Sequence, residues 1–62
     1  MRRRLRIRQW VEFRRDKPPV RRGDRGVVVD VQPEDEVYSV RVVRRHPLIV
    51  AAYREDLRPL TP

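Results

Sequence analysis

The sequence predicts a small all-β protein whose five short strands close into one barrel. Three features of the 62 residues carry this expectation. Apolar residues recur with period two in several stretches, the mark of strands with one buried face. Turn signals built from Gly, Pro and acidic residues recur every 8–12 residues, the spacing of a sandwich or barrel. No stretch of ten or more residues carries a helical period. Closing the sheet also spares so short a chain exposed strand edges.

Residues 5–14 read LRIRQWVEFR. Leu5, Ile7, Val11 and Phe13 share one parity, interrupted by Gln9. Arg4, Arg6, Arg8, Trp10, Glu12 and Arg14 share the other. This predicts a first strand with an apolar and a basic face. Residues 1–8 are either a strand extension or a basic arm, and residues 9–62 form the barrel. Pro18-Pro19 stops the ladder and opens a loop. Gly23-Asp24-Arg25-Gly26 is a turn, with at least one glycine expected at positive φ. A second strand follows, with Val27, Val29 and Val31 assigned to the core and Val28 outward. Pro33-Glu34-Asp35-Glu36 is a hairpin loop. Val37–Arg44 form the third strand, with Tyr38, Val40 and Val42 inward. Arg45-His46-Pro47 turn the chain into a fourth strand, Leu48–Tyr53. Arg54–Leu57 suit one helical turn, and Arg58-Pro59-Leu60 a short closing strand confined to an edge by its proline.

Two stretches resemble SH3-like small barrels. Val20-Arg21-Arg22-Gly23-Asp24-Arg25-Gly26-Val27-Val28 is similar to the basic-Gly-Asp-x-Gly-x-Val core of KOW-type modules of ribosomal proteins and transcription elongation factors. Tyr38-Ser39-Val40-Arg41-Val42, followed by Ala52–Leu60, resembles a family of uncharacterised small bacterial proteins of this fold. The likeness covers about residues 11–60. It implies a five-stranded SH3-like barrel and leaves function open, since such barrels bind both nucleic acids and proteins.

Charge gives the functional expectation. The chain carries sixteen basic and nine acidic residues, a net +7. Residues 1–15 supply +6 of it, with seven arginines against Glu12. Genome composition explains Arg in place of Lys, but not the concentration at one end. Charge so placed favours an anionic partner, most simply DNA or RNA. Arg4, Arg6, Arg8 and Trp10 on one strand face would form a row of guanidinium groups ending in an aromatic plate. Arg pairs phosphate bidentately, and Trp stacks on an unpaired base. Arg2, Arg3, Arg14 and Arg15 extend the candidate site. The competing reading is a solvated basic edge strand, with Trp10 inside the barrel.

Other chemistry has little material. Cysteine is absent and His46 is the only histidine, so a zinc site is not expected. Glu34-Asp35-Glu36 lack the ligand spacing of a calcium loop. Ser39 and Thr61 have no neighbouring base, so the expectation is a non-enzyme without cofactor. The longest apolar run, Leu48–Tyr53, is far shorter than a membrane span of roughly 20 residues. The chain reads as cytoplasmic, with no membrane partner, and as a monomer or homodimer. The second functional reading is a protein-interaction module or accessory subunit of a larger bacterial complex. Val28, Val37 and Val43 on outward faces, and apolarity at both parities of Leu48–Tyr53, favour it.

Overall fold

Alternating β-branched and aromatic residues form five strands in a single antiparallel sheet. The computed structural model describes residues 4–60. The strands are β1 (Trp10–Phe13), β2 (Arg25–Gln32), β3 (Val37–Val42), β4 (Leu48–Tyr53) and β5 (Leu57–Pro59). One turn of 3-10 helix, Arg54–Asp56, joins β4 to β5. The order across the sheet is β4-β3-β2-β1-β5. The sheet is open rather than closed into the expected barrel: β4 and β5 are its two edges and do not pair with each other.

One face of the sheet carries the core. Val11, Phe13, Val28, Tyr38, Val40, Val42, Ala52 and Leu57 are buried there. Leu5 and Val20, neither of them in a strand, join the same cluster and help cover it. The Leu5 N–H donates to the Tyr38 hydroxyl at 3.3 Å. Val20 is delivered by the loop at Pro18-Pro19, a cis peptide, where Lys17 and Val20 exchange backbone hydrogen bonds of 2.8 Å.

In β3, Tyr38, Val40 and Val42 face inward as the alternation predicts. In β2 the parity is corrected. Val28 pairs with Val40 but Asp30 pairs with Ser39, so Val29 is an extra, unopposed residue in a β-bulge. A bulge shifts the inward set by one position. Gly26 and Val28 are therefore inward before it, and Val31 packs on the core after it. Val27 is only half-buried and Val29 is 37% exposed, against the expectation that both lie in the core.

The glycine turn takes the expected form. Gly23 has φ +94°, a conformation that costs an L side chain strain. Gly26 serves a different end. A Cβ there would lie 2.5 Å from the Arg41 carbonyl oxygen and 2.7 Å from a Val40 methyl carbon, so glycine allows β3 to approach.

The two edges differ. β5 has three residues and carries Arg58 and Pro59, both of which discourage further pairing. β4 has six residues, none charged and none proline.

Candidate functional site

The first strand is shorter than the alternation suggests, and this reshapes the candidate site. Residues 4–9 belong to no strand. The Gln9 N–H donates to the Arg6 carbonyl at 3.0 Å, closing a turn in which Arg8 has φ +74°. The Gln9 side-chain oxygen accepts from the Arg6 N–H at 2.9 Å. After the turn, Arg8 and Gln9 make backbone hydrogen bonds with Val28, so the segment is pinned to β2. Leu5 is buried while Ile7, expected on the same apolar face, is exposed. Arg4, Arg6 and Arg8 are thus not a row on one strand face with Trp10.

The turn gathers those three arginines differently. Arg4, Arg6, Arg8 and Arg54 line one open cleft, whose walls are completed by Leu5, Ile7, Gln9 and Pro59. Among the described residues no carboxylate lines it. Arg4, Arg6 and Arg8 are exposed, and among the described residues no acid pairs with them. Arg54 is half-buried and donates to the Leu57 carbonyl at 2.9 Å. It was not foreseen as a site residue, because nothing in its local spacing links position 54 to positions 4–8.

Arg14 and Arg15 belong elsewhere. They follow β1 and do not line the cleft. The Arg14 N–H donates to the Asp56 carbonyl at 2.8 Å, and the Arg15 guanidinium lies 3.4 Å from the Asp56 carboxylate. Arg2 and Arg3, also expected at the site, lie outside the described residues. Trp10 is not tucked into the core: it opens β1 on the outward face, 48% exposed.

Three acids serve the scaffold: Glu12, Asp24 and Asp56. Glu12 sits opposite Arg25 on β2 and Arg58 on β5, and pairs with both. The Arg58 hydrogen bond, then the positive charges of Arg58 and Arg25, hold its carboxyl below the usual carboxylate range. Asp24 accepts from the Arg21 N–H at 2.9 Å and pairs with Arg44 at 2.8 Å, and these hold its carboxyl low as well. Asp56 is the one buried charged residue among those described, 5% exposed. Burial pushes its carboxyl up. Hydrogen bonds from Lys17 at 2.9 Å and the Tyr53 N–H at 3.0 Å, with the charges of Lys17 and Arg15, outweigh this and hold it low. Lys17 also lies over the Tyr53 ring, 4.9 Å from its centre.

Among the described residues, the charged groups lining the cleft are all arginines. The cleft can hold an anion through several guanidinium groups. Among the described residues no group of three or more His, Asp or Glu could hold a metal ion, and no helix is long and apolar enough to cross a membrane. The fold and cleft define a small all-β protein with an arginine-lined cleft. No family model, curated protein or solved structure matches the chain.

Proposed function

We propose that the protein binds nucleic acid, chiefly through phosphates and with little sequence selectivity. The cleft of Arg4, Arg6, Arg8 and Arg54, with no carboxylate in its walls among the described residues, carries the reading. Phosphate contacts supply most of the affinity in such binding and little of its specificity. The likeness to KOW-type modules adds support. So does the element order, with its short helical turn before the last strand, which fits an SH3-like architecture opened at one seam. No catalytic role is assigned.

Salt titration tests this. With one phosphate contact from each of the four cleft arginines on duplex DNA, log K against log[salt] should slope at about −3.5. Replacing Arg4, Arg6 and Arg8 together with Gln should flatten the slope by about 2–3, at about 0.9 per lost contact. Melting temperature should barely move, since exposed arginines contribute little to folding. A folded protein that binds no nucleic acid at low salt overturns the proposal.

A second reading, a protein-interaction module for an acidic partner, has its own observation. Ile49 is 63% exposed and Val43 57% exposed on the outward face, more apolar surface than phosphate contacts use. Co-purification with one protein partner, insensitive to nuclease, would favour it.

A further inference from the structure

We propose that the outward face of the sheet is a track for single-stranded nucleic acid, leading from the arginine cleft across Trp10 to Arg41. The inference rests on the phosphate-binding reading above and adds the form of the strand and its path. The register carries it. Trp10 on β1 stands opposite Val27 on β2, Val27 opposite Arg41 on β3, and Arg41 opposite Ile49 on β4. These four residues form one row across the outward face. Trp10 and Arg41 are two strand spacings apart, about 10 Å. Between them the surface is apolar, and Val29, Val43 and Pro47 line a shallow hollow beside Arg41. Arg41 is exposed, and among the described residues no acid pairs with it.

The arrangement matches the two needs of single-strand binding. An aromatic plate takes a base, and cations follow the backbone. Trp10 is the plate, standing next in sequence after the cleft segment. Arg8, two residues before Trp10, and Arg41 within the row supply charge complementary to phosphate. A duplex cannot use the same face. Its bases are stacked inside, so the apolar row would meet only sugar and phosphate. A major groove roughly 12 Å wide admits a helix or a two-stranded ribbon. Five strands at about 4.8 Å spacing are about 19 Å across.

The test uses the full chain and fluorescence anisotropy with oligothymidine, oligouridine and a DNA duplex of equal length. Trp10 is the only tryptophan, so its emission reports directly on the face. The expected result is tighter binding of single strands than of duplex, with Trp10 emission quenched by single strands alone. Trp10→Ala should weaken single-strand binding by about 5- to 150-fold and leave duplex binding unchanged, while Trp10→Phe keeps most of the affinity. Arg41→Gln should flatten the single-strand salt slope by about 0.7. Equal affinity for both forms without quenching overturns the track and leaves the phosphate cleft standing. No binding of either form removes both. A concentration-dependent dimer that shields Trp10 without nucleic acid also overturns the track, assigning the face to a second copy. Should Trp10→Ala melt below the assay temperature, quenching in the unaltered protein and the Trp10→Phe affinities decide the matter.

Discussion

Asp56 holds three parts of the chain together through one carboxylate. It accepts from the Tyr53 N–H at the start of the 3-10 turn, from Lys17 before the proline loop, and lies beside Arg15 after β1. Its folded-state pKa is depressed, so its contribution to stability is complete above about pH 4–5 and is lost as pH falls through the folded value. Urea melts between pH 7 and pH 3 should show stability falling on acidification. Asp56→Asn should flatten that acid limb and lose about 1–2 kcal/mol at pH 7, the loss expected for a cap and its partners. The glycines give a second comparison. Gly23→Ala has open space for its Cβ but an unfavourable φ, and should lose about 1 kcal/mol. Gly26→Ala has to displace the β3 backbone at Arg41, so equilibrium unfolding should show a larger loss. The positive φ at one of these glycines was legible in the sequence, because a turn of that composition requires it. The buried role of Asp56 was not: beside Glu55 it reads only as an acid opening a helical turn, until its partners at residues 15 and 17 are seen.

Within strands, period two is informative only while the ladder keeps its count. β3 keeps it, and its inward residues Tyr38, Val40 and Val42 are those the alternation assigns; β4 keeps it too, but its apolarity at both parities assigned no inward set. β2 loses count at Val29. Val27-Val28-Val29 is apolar at both parities, so the sequence offers no local sign of the extra residue, and counting back from Val31 puts the wrong valines inside. The difference has a direct check. Val28→Asp buries a charge in the core and should leave the domain unfolded. Val29→Asp places it at the bulge in solvent and should cost less than about 1 kcal/mol by circular dichroism melts. The same limit explains the short β1. Gln9 interrupts the apolar parity because it closes a turn with Arg6, but a single polar residue in a strand pattern does not announce a reversal. The arginines were visible as a group; their gathering with Arg54 into a cleft depended on that turn and on contacts far apart in sequence.

Across the sheet as a unit, net charge and edge chemistry pull in opposite directions. A net +7 on 62 residues makes separate copies repel at low ionic strength. The β5 edge is closed by Pro59 and Arg58, whereas β4 offers six uncharged residues to any strand that comes close. Colloidal stability is therefore conditional on the very charge that a polyanion would neutralise. Light scattering should rise when salt or polyphosphate screens the arginines. Ala51→Lys, at an exposed position of β4, should delay that rise without changing the melting temperature by more than a few degrees. For such a chain, saturation with a long anion is also a crowding event. Neutralised copies held side by side on one polymer meet at a high local concentration, and β4 is where their sheets are free to join.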